Sequence, residues 1–160
     1  MMERNSVVRS SGETRSVGQS TGPSIGLSRK LILRSGTIFV AEARFNRDNT
    51  FQGMRLVHEG RGAIYCPAAM INDLVAALAG RSTGKKRLAH SDYWQLWVSP
   101  INGAGGERTA VVVQVVGRSS RNEAWRPRDR ITITSDQAPE VVSLIRDFVR
   151  ELRAYLNFEE

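Results

Sequence analysis

The sequence predicts an α+β fold made of two pseudo-repeated ββββα units, with antiparallel sheets and helices packed on one face. Three observations predict it. A strand-like run at 62–66 passes through Pro67 into an amphipathic helix. A second run at 130–134 passes through Pro139 into another. Each run is preceded by several shorter strand-like runs rich in Val, Ile, Phe, Tyr, Trp and Arg, separated by Gly- and Asn-containing turns. Internal self-similarity of this kind sets the architecture before any single element does.

Residues 1–29 stand apart. They are rich in Ser, Gly, Arg and Thr and poor in aromatic residues. Such a segment buries too little apolar surface to offset its ordering entropy, so a disordered tail is expected. Its Arg4, Arg9, Arg15 and Arg29 fit an organelle-targeting segment, whereas Glu3 and Glu13 fit a plain flexible tail. The folded domain is expected over 30–160, with repeats at 30–80 and 86–157.

The first repeat opens with strands at 30–34 and 37–45 about the Ser35-Gly36 turn. A polar turn at 46–50 containing Asp48-Asn49 leads to a strand at 51–58. A turn at 59–62 leads to a short strand at 63–66. Pro67 suits the first helical position, where no intrahelical hydrogen bond is lost. Met70, Ile71, Leu74, Val75 and Leu78 follow at helical spacing, and Gly80 ends the helix. Residues 81–87, Arg-Ser-Thr-Gly-Lys-Lys-Arg, read as a basic linker.

The second repeat starts with a short strand at 88–90 and a longer one at 93–98. A Gly-rich hairpin loop at 102–106 precedes a Val-rich central strand within 108–118. A polar loop at 119–128 holds Trp125, and the last strand covers 130–134. Asp136 is placed to cap the final helix, with Pro139 in its first turn. Val141, Leu144, Ile145, Phe148, Val149, Leu152 and Tyr155 form the buried stripe of that helix.

The net charge is +7, and Lys occurs only at 30, 85 and 86, so most of the cations are Arg. Arg binds phosphate in a bidentate fashion and stacks on bases, which points to a polyanionic partner, nucleic acid before a membrane surface. The single cysteine, Cys66, rules out an intrachain disulfide or a Cys-based zinc cluster within one chain and fits a reduced intracellular setting. Mitochondrion or another organelle, nucleus and cytoplasm all remain open as the location. No apolar run approaches the roughly eighteen residues of a membrane span.

Strand side chains alternate between faces. Trp94, Leu96 and Val98 suit the core, which turns Tyr93, Gln95 and Trp97 the other way. Met54, Leu56 and Ile64 likewise face in, leaving Phe51, Arg55 and Tyr65 opposite. Gln114 and Arg118 share the outer face of the Val-rich strand, and Arg130 that of the last strand. Aromatic residues interleaved with Arg and Gln suit single-strand binding, in which bases stack and cations hold phosphates. Stacking is expected from Phe51, Tyr65, Tyr93, Trp97 and Trp125. Phosphate contacts are expected from Arg55, Lys85, Lys86, Arg118, Arg126, Arg128 and Arg130, with Gln95 and Gln114 between them. The competing reading of each aromatic is packing against the other repeat or a second copy.

The stretch 39–78 resembles the PUR and Whirly group of single-strand nucleic-acid-binding proteins. The likeness rests on an aromatic strand, a polar turn with Asn46 and Asn49, Gly53-Met-Arg-Leu56, and Ile64-Tyr-Cys-Pro67 entering a helix. In topology it covers about residues 30–156. PUR repeats carry a basic-glycine-basic-aromatic run at the place of 53–56. Gly53 and Arg55 match it here, Gln52 stands at the first basic position, and the aromatic is missing. The Whirly Lys-Gly-Lys motif is also absent, with only Gly84-Lys85-Lys86 in the linker. The resemblance implies two four-strand-plus-helix units and binding of single-stranded DNA or RNA without chemistry, often as an oligomer.

Enzyme chemistry finds little support in the residues. His58 and Glu59 are neighbours on a strand and point to opposite faces. His90 stands alone. Cys66 fits a buried structural thiol better than a reactive one. The glycines at 103–106 lack the P-loop Lys and lead into a strand. No metal, cofactor or catalytic residue is expected. The expected partners are single-stranded DNA or RNA and a second copy of the chain, since exposed strand edges permit a homo-oligomer. The rival readings are a structural RNA-contacting subunit of a ribonucleoprotein, such as an organellar ribosome, and a protein-interaction domain.

Overall fold

The structure, a computed structural model, describes residues 5–9, 27–80 and 84–159. Two antiparallel meanders carry the chain. The first is a five-stranded sheet in the order β1 (Asn5–Arg9), β2 (Leu27–Ile32), β3 (Ile38–Phe45), β4 (Phe51–His58) and β5 (Gly62–Pro67). A 3-10 turn (Ala68–Met70) leads into α1 (Ile71–Leu78). The second is a four-stranded sheet of β6 (Lys86–His90), β7 (Trp94–Asn102), β8 (Arg108–Gly117) and β9 (Arg126–Thr134), followed by α2 (Ala138–Glu159). The α+β class and the two four-strand-plus-helix units stand as predicted, with β1 added at the outer edge of the first sheet.

The inner faces follow the predicted alternation. Phe39, Ala41, Met54, Leu56, Ile64 and Cys66 of the first sheet are buried, as are Leu96, Val98, Val113, Ile131 and Ile133 of the second. The helices bury Leu74 and Leu78 of α1 and Val141, Leu144, Ile145, Phe148 and Leu152 of α2. All belong to one hydrophobic cluster, so the repeats share a core. α1 stays against β5 of its own sheet, but the second helix does not stay with its own. α2, which ends the second repeat, packs on β2 and β3 of the first, and the Arg29 guanidinium reaches Asp147 of α2 at 3.6 Å. The sheets meet where β5 lies along β9. Among the described residues no helix is long and apolar enough to cross a membrane.

Several boundaries differ from expectation. The tail expected over 1–29 overlaps two strands: Asn5–Arg9 pairs with β2, and β2 begins at Leu27, itself buried. The rest of that tail, 1–4 and 10–26, lies outside the described residues, as do 81–83 of the basic linker. Pro67 does not open α1. Its ψ of 150° is extended, it pairs with Gly53, and the 3-10 turn intervenes before Ile71. The second sheet extends further than predicted, because β6 takes in Lys86 and Arg87 and β9 starts at Arg126. The residue flanking α2 is Gln137 rather than Asp136. Its side-chain oxygen accepts from the Thr134 amide at 3.0 Å, while its own amide donates to the Thr134 hydroxyl at 3.3 Å. Gly36, at φ 92°, supplies the left-handed residue of the β2–β3 hairpin.

His58 sits where the sheets meet. Its ring stacks on Phe39, with centroids 4.4 Å apart. Burial and the nearby Arg61 hold its pKa below the ordinary 6.5, against a hydrogen bond to the Thr132 backbone that pulls it up. The folded state therefore prefers the neutral ring, and the unfolded chain takes up the proton first. Stability contributed at neutral pH is expected to fall as pH drops below about 6.5. Urea unfolding of wild type and His58→Gln between pH 7 and 5 checks this, and equal slopes in the two proteins would contradict it.

Candidate nucleic-acid interface

The two sheets present outer faces of different character. On the first, register places Glu42, Arg55 and Tyr65 side by side. The Arg55 guanidinium lies 3.0 Å from the Glu42 carboxylate, so its charge is already partnered. The Tyr65 hydroxyl donates to the Gln52 carbonyl at 2.9 Å. Its ring covers Gly53, where a β-carbon would fall 2.6 Å from the phenolic oxygen, so only glycine fits. Burial raises the Tyr65 pKa, the neighbouring Cys66 thiol adds to this, and Arg44 opposes it. Tyr65 is thus held against its own sheet.

Phe51 is a correction. An irregularity between Arg44 and Phe45 sets Phe45 opposite Phe51. The extra residue reverses the alternation at the start of β4. Phe51 packs on the core and meets Phe45 edge to face at 5.9 Å. None of the three residues expected to work on this sheet is presented freely.

The second sheet is different. Its register lines up Arg87, Trp97, Gln114 and Arg130 across all four strands. Trp97 is half-buried and lies outside the core cluster. Its indole N–H donates to the Gln95 side-chain oxygen at 2.9 Å. The Lys85 ammonium sits over the ring, 4.8 Å from its centroid. Among the described residues none of the salt bridges involves Lys85, Arg87 or Arg130. The structure therefore brings Trp97, Gln95, Gln114, Arg130 and Lys85 together. Arg87, expected in a basic linker, joins them as part of the sheet. The signal was available: extending the short strand at 88–90 back by two residues brings Arg87 into β6.

At one end of this sheet lies a second group. Tyr93 is 50% exposed and belongs to the turn before β7, not to the strand. Arg118 donates from Nε to the Asp92 carbonyl at 2.7 Å, and its guanidinium stacks 4.0 Å over Trp125. Arg121 pairs with the Asp92 carboxylate. Arg118 and Trp125 thus tie the loop after β8 to the turn before β7, and of this group Tyr93 presents the most open ring.

Three other expected cations are not on the Trp97 face. Lys86 stands in register with Val98, an inward residue, and is exposed at the sheet edge. An irregularity between Val115 and Val116 shifts β9, so Arg126 pairs with Gly117 in the row of core-packed Trp94. Arg128 lies over Gly117, where a β-carbon would meet its Nε at 2.7 Å. Cys66 is buried, and burial pushes its thiol up to about 12, which leaves no nucleophile at neutral pH. Among the described residues no three His, Cys, Asp or Glu side chains could hold a metal ion.

No protein-family model matches the chain, and no curated protein matches it in sequence. Among solved structures it is similar to one described as a guide-RNA-binding protein complex bound to a guide RNA. The identity is 16%, the match covers 99% of this chain and 94% of that one, and the TM-score is 0.39.

Proposed function

We propose that this protein binds single-stranded DNA or RNA across the outer face of its second sheet and performs no chemistry on it. The observation that carries the reading is the row Arg87–Trp97–Gln114–Arg130, with cations at both ends and an aromatic and an amide between them. Three strand spacings of about 4.8 Å make the row about 14 Å long. A single strand crossing the β-strands along this row would meet a cation, a stacking ring, an amide and a second cation in turn. The resemblance of 39–78 to PUR and Whirly repeats agrees with this partner class. Pairing of two copies through the sheet edges at β1 or β6 belongs to the same proposal, and light scattering reads it directly.

The test is fluorescence anisotropy of labelled single-stranded DNA, single-stranded RNA and duplex, titrated with the full chain at several salt concentrations. Tighter single-strand binding with tryptophan quenching is expected. If Lys85, Arg87 and Arg130 each neutralise a phosphate, log affinity should fall against log salt with a slope of about −2. Equal weak binding to all three probes without quenching would sink the stacking face. It would favour a structural subunit of a ribonucleoprotein.

Lys85 adds a specific expectation. It occupies the ring face of Trp97 that a base would use, so binding exchanges a cation–π contact for a base stack. The first is worth about 0.5–1 kcal/mol at an exposed site. The second is worth about 1–3 kcal/mol. The released ammonium is then available to a phosphate. Lys85→Ala should bind more weakly than wild type at low salt and more tightly at high salt, where the phosphate contact fades and the absent competitor matters. Salt curves that converge without crossing would leave Lys85 a phosphate contact only.

A further inference from the structure

We infer that Gln95 makes the Trp97 site select bases with a keto edge, uracil, thymine or guanine, over the amino bases cytosine and adenine. The inference rests on the proposed single-strand reading and concerns the choice made within it. An indole N–H can only donate. Gln95 must therefore turn its carbonyl oxygen toward Trp97, as the 2.9 Å contact shows. Its amide nitrogen is then directed away from the ring and carries two N–H donors. No described residue takes a hydrogen bond from that nitrogen. Its register neighbours are His90 and Val116. Turning the amide over would set N–H against N–H and break the bond to the indole, so the orientation is locked.

A base stacked on Trp97 whose edge reaches the Gln95 nitrogen thus meets donors there, while the Gln95 oxygen is turned to the indole. The O4 of uracil or thymine and the O6 of guanine accept from them, whereas the amino groups of cytosine and adenine bring donor against donor. Gln114 does not discriminate in this way. Its side chain makes no hydrogen bond among the described residues, so it can turn either end to a ligand. The selectivity follows from one side chain being fixed and the other free.

The test compares oligo(dU) with oligo(dC) of equal length at neutral pH, using the full chain. The two pyrimidines have the same ring size and differ in their keto or amino edge. One hydrogen bond gained rather than opposed predicts a preference of about three- to tenfold for oligo(dU). Trp97→Phe keeps an aromatic ring for stacking but removes the N–H that fixes Gln95, so the ratio should fall toward one. Gln95→Ala should abolish it as well and leaves the indole in place. Equal affinities in the wild type, or a ratio that survives both substitutions, would overturn the assignment. Failure to bind either oligomer would instead remove the single-strand reading itself.

Discussion

Trp97→Ala is expected to weaken single-strand binding about 5- to 150-fold while leaving the fold intact. Loss of one base stack costs roughly 1–3 kcal/mol, which sets that range. The fold should survive because Trp97 lies outside the core cluster on the outer face. Trp94 offers an internal contrast. It lies three residues away on the same strand, but its side chain packs against the core. Trp94→Ala should therefore lower the thermal midpoint and spare the intrinsic affinity of whatever remains folded. Anisotropy titrations and thermal unfolding of both variants separate the two roles. Unchanged affinity in Trp97→Ala would remove the stacking platform, and a collapse of its circular-dichroism signal would make the residue structural.

Phe148→Ala should be the most damaging single truncation for stability, at about 3–5 kcal/mol. Phe148 is fully buried, and the adjacent Asp147 reaches across to Arg29 of β2. The second repeat's helix closes the first repeat's sheet at this point, so the void would open between parts of the chain that are far apart in sequence. Typical domains have only about 5–15 kcal/mol in total, so a large share of the stability would go. The urea midpoint measures it. A loss under about 1 kcal/mol would show that this part of α2 contributes little to holding the sheet.

The elements were legible wherever a periodic pattern ran unbroken. Leu96 and Val98 against Trp97, and the stripe from Val141 to Leu152, declare their faces without help from distant residues. What failed was local and geometric. The irregularities at Arg44/Phe45 and Val115/Val116 carry no composition signal, yet the first turns Phe51 into the core and the second takes Arg126 and Arg128 off the Trp97 face. The pairing of Arg55 with Glu42 joins residues thirteen positions apart through a register set by the intervening turn. Alternation along one strand cannot give that register. Pro67 has the composition of a helix start, but its extended ψ keeps it in the sheet. Three of the four members of the Trp97 row were legible as one face because they lie on strands read in phase; Arg87 reads as linker when the start of β6 is not recognised.

The position of α2 also governs when the molecule can exist. Its contacts with β2 and β3 are made by residues that leave the ribosome after both sheets, onto strands that emerged well before them. Until then the inner face of the first sheet, with Phe39, Met54 and Leu56, lacks its final cover. The first sheet depends on a helix made later, so a nascent chain must keep its early strands from pairing with other chains until α2 has emerged. The two units share a layout, but the packing of α2 on the first sheet ties completion of both to one late event.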